Sequence, residues 1–288
     1  MATRRVIARL DIKGPNLVKG IHLEGLRVLG TPGEFARYYS QAGADELLYM
    51  DVVASLYGRN SLHEVVRATA REAFLPLGVG GGLRDLEDIR AVLRAGADKV
   101  VLNTAAVRRP ELVREAARRF GSSTVTVAIE AVRQPDGRYL ASTDNGREPS
   151  GLEVVSWART LEALGAGELL LTAVDREGTG RGFDLELTRA VAEAVSVPVI
   201  AHGGAGTAEH VAALLLGTEA AGVALASLLH YERLRRGAPR VEDGREGNTE
   251  FLRGGRAFGA VQPCDIPTLK RHLLARGVSC RPPGEESA

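Results

Sequence analysis

Eight short, nearly continuous apolar runs alternate with longer amphipathic segments along this chain, and that alternation limits the possible folds more than any other feature. The runs lie at 5–11, 46–51, 75–80, 98–103, 124–130, 168–174, 197–202 and 221–226. Residues with helical spacing of apolar positions lie at 33–42, 60–72, 85–95, 109–119, 152–165, 184–195, 207–216 and 265–276. Strands that are apolar on both faces belong to a parallel sheet covered by helices. Eight regular βα units without a long break predict closure into a single (βα)8 TIM barrel of the α/β class, and about 250 residues is the usual size of such a barrel. The barrel is expected over 1–280, with an irregular excursion at 232–263 between strand 8 and the last helix, and a disordered tail at 281–288.

The two halves of the chain resemble each other. GADELL at 43–48 recurs as GAGELL at 165–170, Gly58-Arg59 as Gly180-Arg181 and Pro76 as Pro198, all at one displacement. GVGGG at 78–82 then lies opposite IAHGG at 200–204. A duplicated four-unit half accounts for this pattern. Asp11 ends the first apolar run and Glu130 the fifth, but their separation falls three residues short of the common displacement. An insertion after Glu130 is the simplest explanation.

A buried strand that ends in a carboxylate places that acid at the C-terminal mouth, where barrel active sites form. Asp11 and Glu130 would face each other there as a general acid and a general base. Lys19, followed by Gly20, is expected in the first βα loop, as a mobile cation able to close over a substrate. Gly81 and Gly82 with Asn103 and Thr104 form one candidate phosphate site, because glycine backbone and a helix start bring N–H groups close to an anion. Gly203 and Gly204 with Ala226 and Ser227 form its echo. Two such sites flanking two acids suit an elongated ligand with a phosphate at each end. Asp51, Asp175 and Glu177 are further acids at the same rim, and His202 reads as a hydrogen bonder on the phosphate side.

Several classes are disfavoured. Lys plus Arg total 37 against 36 for Asp plus Glu, so the basic excess of a nucleic-acid binder is missing. No apolar run approaches the roughly 18 residues of a membrane span, and MATRRVIARLD has no export-signal pattern, which makes a cytoplasmic location the expectation. Cys264 and Cys280 lack metal or disulfide spacing. No metal or cofactor is expected.

In order, LD at 10–11, VKG at 18–20, GADEL at 43–47, VGGG at 79–82, AGADKV at 95–100, NTAA at 103–106, LLT at 170–172, DREGT at 175–179 and GGAG at 203–206 resemble the cyclase subunit of imidazole glycerol phosphate synthase. The resemblance covers residues 4 to 231 and resumes in the last helix. It implies a (βα)8 barrel that takes ammonia from a separate glutaminase subunit. With it the barrel would convert phosphoribulosyl formimino-aminoimidazole carboxamide ribotide into imidazole glycerol phosphate and aminoimidazole carboxamide ribotide. It implies catalytic roles for Asp11 and Lys19 and phosphate binding at the two glycine-rich sites. It also implies a charged ring of Arg5, Glu46, Lys99 and Glu168 around an ammonia entrance, with Asp98 at the glutaminase interface. Taken without the resemblance, that ring is equally an ion network that stabilises one barrel end.

The chain departs from the family pattern at the mouth. Glu130 stands in place of an aspartate, Glu177 in place of another, and His202 in place of a small Ser or Cys. Three other readings therefore stay open. One is a paralogous synthase that delivers ammonia to another activated acceptor, such as a surface sugar. Another is the related sugar-phosphate isomerase, against which the charged ring argues. The last is a non-catalytic barrel that docks a glutaminase.

Overall fold

The computed structural model describes residues 3–54, 62–237 and 259–284. Eight parallel strands close into a barrel: β1 (Arg5–Lys13), β4 (Glu46–Asp51), β5 (Leu77–Gly80), β6 (Lys99–Leu102), β7 (Val125–Arg133), β10 (Glu168–Ala173), β11 (Val199–His202) and β12 (Gly222–Leu225). Closure comes from pairing of β10 with β7 and of β12 with β1. These strands and the helices between them match the expected elements to within a few residues. Capping fixes several helix starts. Asp85, Asp184, Thr207 and Asp265 each accept a backbone N–H of the helix that follows.

Alternation along each strand produces two cores. Val6, Ala8, Leu10 and Ile12 point outward into the shell between strands and helices. Ile7 points inward and joins Leu48, Val101, Ala128, Leu170, Ile200 and Ala224 in a small apolar layer across the barrel axis. Below that layer, Arg5 bridges Glu46 at 3.0 Å and also pairs with Glu168, while Lys99 meets Glu46 at 2.9 Å and Glu168 at 3.2 Å. Asp98 beside this ring accepts the Leu77 N–H at 2.9 Å. Burial raises the Glu46 pKa, against the pull of Lys99.

The strand-end loops differ from expectation. The segment after β1 is a hairpin of β2 (Asn16–Ile21) and β3 (Glu24–Gly30), so Lys19 sits in a strand rather than in a loop. A second hairpin, β8 (Tyr139–Thr143) and β9 (Glu148–Glu153), follows β7. The connection at 134–138 is three residues longer than its counterpart at 14–15, which puts the insertion directly after Glu130's strand. Both hairpins turn on two consecutive non-glycine residues at the same positive φ values: 53° and 62° at His22 and Leu23, and again at Asp144 and Asn145. The duplication thus extends to loop geometry.

The expected excursion at 232–263 begins later than predicted, because a helix runs from Ser227 to Arg235. Residues 238–258 of it lie outside the described residues. The tail prediction at 281–288 is corrected at its start. Arg281 Nε donates to Asp45 Oδ1 at 2.8 Å and its guanidinium also reaches the Gly43 and Ala44 carbonyls; residues 285–288 lie outside the described residues. Asp45 also holds the fully buried ammonium of Lys270 at 2.7 Å. Asp45→Ala should therefore cost about 3–5 kcal/mol, because it strands a buried cation. The melting temperature should fall by about 5–10 °C, as calorimetry would show.

Candidate active site

Both glycine turns depend on backbone that a side chain would obstruct. Gly81 has φ +101°, and a Cβ there would lie 2.3 Å from the Asp51 carbonyl oxygen; Gly204 has φ +104°, with a Cβ 2.2 Å from the Gly182 carbonyl oxygen. Each turn faces a helix that starts immediately after a strand. One runs Thr104–Arg108 behind Asn103, and the other Ser227–Arg235 behind Ala226; neither start has a side-chain cap. Asn103 and Ala226 share nearly the same backbone angles, φ −133° with ψ −86° and φ −123° with ψ −84°.

A cavity of about 260 Å³ opens at the first turn, lined by Asp51, Gly81, Gly82, Asn103, Thr104, Glu130 and Arg9. A smaller one of about 20 Å³ opens at the second, lined by Lys19, Glu177, His202, Gly203, Gly204, Ala226 and Ser227. Three buried polar atoms at these cavities lack a hydrogen-bond partner: Asn103 Nδ2, His202 Nε2 and Ser227 Oγ. The Asn103 amide is near enough to hold the Glu130 pKa down somewhat, yet it makes no hydrogen bond of normal geometry. His202 Nδ1 lies 2.8 Å from the Ala224 carbonyl oxygen, which only accepts. Nδ1 therefore carries the ring proton, and Nε2 of the neutral ring presents a lone pair to the cavity. Burial, aided by Arg9, keeps that ring neutral by lowering its pKa well below the usual value.

The two acids are in unlike surroundings. Asp11 is buried, and its Oδ1 accepts Arg9 Nε at 2.8 Å. Burial pushes the Asp11 pKa up, but Arg9, then Lys19, outweigh it and hold the group below its ordinary value. Glu130 is also buried, and its Oε2 accepts the Gly146 N–H at 2.8 Å from the second hairpin. Here burial prevails over Arg9 and raises the pKa to about 7.

The first hairpin is closed over the mouth. Lys19 pairs with Glu177 Oε1, Leu23 N–H donates to Glu177 Oε2 at 2.8 Å, and Asn145 of the second hairpin donates to the Leu23 carbonyl at 2.8 Å. Both Glu177 oxygens are thus engaged by the hairpin, and Glu177 is fully buried. Asp51 lines the larger cavity and its Oδ1 accepts the Val53 N–H at 3.1 Å. Asp175 is not brought to either cavity. It is exposed and accepts the Arg133 N–H at 2.7 Å.

Sequence reading missed Arg9, which it absorbed into an apolar run, and the Arg84, Arg108 and Arg109 side chains along the larger cavity. A signal for Arg9 was present: period-two counting from Asp11 puts residues 5, 7, 9 and 11 on one face.

The family described as "Histidine biosynthesis protein" matches residues 5–235. The chain is 59% identical over 209 residues to the imidazole glycerol phosphate synthase subunit HisF of Legionella pneumophila, covering 73% of this chain and 99% of that relative. It is 50% identical over 239 residues to the subunit of the same name from Thermosynechococcus vestitus, covering 81% of this chain and 85% of that protein.

Proposed function

The chain belongs to the histidine biosynthesis protein family, and from that membership we propose that it is the cyclase subunit of an imidazole glycerol phosphate synthase. It uses ammonia to convert phosphoribulosyl formimino-aminoimidazole carboxamide ribotide into imidazole glycerol phosphate and aminoimidazole carboxamide ribotide. The observation that carries this reading is the pair of unpartnered donors, Asn103 Nδ2 and Ser227 Oγ, one at each of two cavities on either side of the acids.

One phosphate is held by Gly81, Gly82, Asn103 and Thr104, and the other by Gly203, Gly204, Ala226 and Ser227, with the neutral His202 ring beside it as an acceptor for a ligand hydroxyl. The middle of the substrate then lies over Asp11 and Glu130. A carboxyl that titrates near 7 exchanges protons readily at neutral pH, as Glu130 is set to do, and the always ionised Asp11 stabilises positive charge that develops on the nitrogen of ammonia as it attacks. Lys19 and Glu177 close the first hairpin over the bound ligand. The ring of Arg5, Glu46, Lys99 and Glu168 is the ammonia entrance, and a glutaminase subunit docks around it next to Asp98.

A phosphorus NMR titration of the Asp11→Asn variant with the ribotide tests the binding half of this proposal. Both phosphoryl signals should shift at one ligand per chain, and Asn103→Ala and Ser227→Ala should each disturb one end only. A ligand held by one phosphate, or by neither, contradicts it.

A second reading rests on Glu130, Glu177 and His202, which depart from the family pattern at the mouth while the ring keeps it. This is a synthase that passes ammonia to another activated acceptor. It predicts ammonia-dependent turnover of that acceptor and none of the ribotide.

A further inference from the structure

The inward face of β1 carries, from the bottom of the barrel to the mouth, Arg5 in the ion ring, Ile7 in the apolar layer, Arg9 and Asp11. Arg9 is therefore a guanidinium inside the barrel, 2% exposed, with an apolar layer beneath it and the acids around it. Its Nε donates to Asp11 Oδ1 at 2.8 Å on the same strand, and its Nη1 reaches Thr172 Oγ1 on β10 at 3.4 Å. A buried guanidinium is planar, always charged and rigid in its donor geometry, so it fixes both the place and the charge of the carboxylate it meets.

The buried charges at the mouth include two cations, Arg9 and Lys19, and the acids Asp11, Asp51, Glu130 and Glu177. Lys19 is paired to Glu177 and Arg9 to Asp11, so neither cation is in an ion pair with Glu130. Burial in low dielectric favours the protonated form of an acid that is not paired to a cation. The largest difference between the two carboxylates is thus the ion pair that Arg9 makes with Asp11 and not with Glu130.

We infer that Arg9 is a positioning residue that holds Asp11 as a permanent anion across the barrel axis and so leaves the proton transfers of the reaction to Glu130. This rests on the function proposed above, in which both acids face the substrate. No redox step is involved. A proton taken from the incoming nitrogen goes to Glu130 carboxylate and returns from Glu130 carboxyl to the leaving nitrogen, with Asp11 charged throughout.

The groups that face Asp11 and Glu130 are Arg9, Lys19, Asp51, His202, His230, the Asn103 amide and the Gly146 N–H. The test compares the wild-type chain with Arg9→Lys and Arg9→Met by carbon NMR titration of the carboxyls and by the pH profile of kcat. In the wild type, Asp11 should stay ionised from pH 5 to 9 while Glu130 titrates near neutrality. In Arg9→Met the Asp11 midpoint should rise by about 1–3 in pH, and the acid limb of kcat should move up with it. The kcat at pH 7 should fall by about 100-fold with KM nearly unchanged, and Arg9→Lys should restore the wild-type midpoint.

An active Arg9→Met enzyme with an unmoved Asp11 midpoint and profile would overturn the inference. So would an Asp11 that titrates between pH 5 and 9 in the wild type, a measurement that holds even if Arg9→Met does not fold. Wild-type protein that ignores the ribotide would defeat the proposed function instead, and the carboxyl titrations would still decide the role of Arg9.

Discussion

Asp11→Asn should keep the barrel and both phosphate contacts but lose ammonia-dependent turnover by about 1,000-fold or more. The amide has the shape of the carboxylate without its charge. Arg9 Nε would keep an oxygen acceptor within reach, so its hydrogen bond survives while the ion pair does not. What disappears is the fixed anion that faces a nitrogen gaining positive charge. Because Arg9 is then buried without a counter-ion, the variant should also melt lower, at a cost of about 3–5 kcal/mol. Turnover, ribotide binding and calorimetry on one preparation separate these effects. Retained turnover would favour a barrel whose acids are not catalytic, such as a docking platform for a glutaminase.

Glu130→Gln should move activity and stability in opposite directions. Its carboxyl titrates near 7 in the folded chain and has an ordinary value of 4.5. Between those pH values the folded state holds a proton that the unfolded state has released. Glu130's contribution to stability is therefore fully present below about 4.5 and is lost as pH rises through about 7. Above that, the ionised carboxylate is a burden of order 3 kcal/mol. Glutamine removes the ionisation, so the variant should melt about 5–10 °C higher than wild type at pH 8 and at nearly the same temperature at pH 4.5. It should also lose turnover. Equal melting differences at the two pH values would show that Glu130 does not titrate in this way.

The barrel was readable because β-branched runs and helical spacing are strong local signals, and because the chain repeats itself. The hairpins were not. His22 and Leu23 adopt a turn conformation normally signalled by Gly or Asn, so the sequence gives no local sign of the turn. In the second half, Asp144-Asn145-Gly146 carries that sign, and the duplication would have transferred it to residues 22–24. The helix Ser227–Arg235 was hidden because its residues are buried through the first turn and a half and show little amphipathic contrast.

At the site, residue types chosen for their chemistry did meet at one end of the barrel, since strand ends fix where they go. Their division of roles was not readable. Asp11 and Glu130 look like equivalent acids in sequence, and it is chiefly the position of Arg9, two residues from one of them on the same face, that makes them differ. Glu177 shows the same limit. Its environment joins it to Lys19 and Leu23 of a hairpin that the sequence did not announce.

The most direct measurement of the central claim is turnover of the ribotide by the purified chain with an ammonium salt as the nitrogen source. The proposed function predicts loss of the ribotide with equal release of imidazole glycerol phosphate and aminoimidazole carboxamide ribotide, and no such release by Asp11→Asn. A wild-type chain that binds the ribotide by both phosphates and leaves it intact at every ammonium concentration would contradict it.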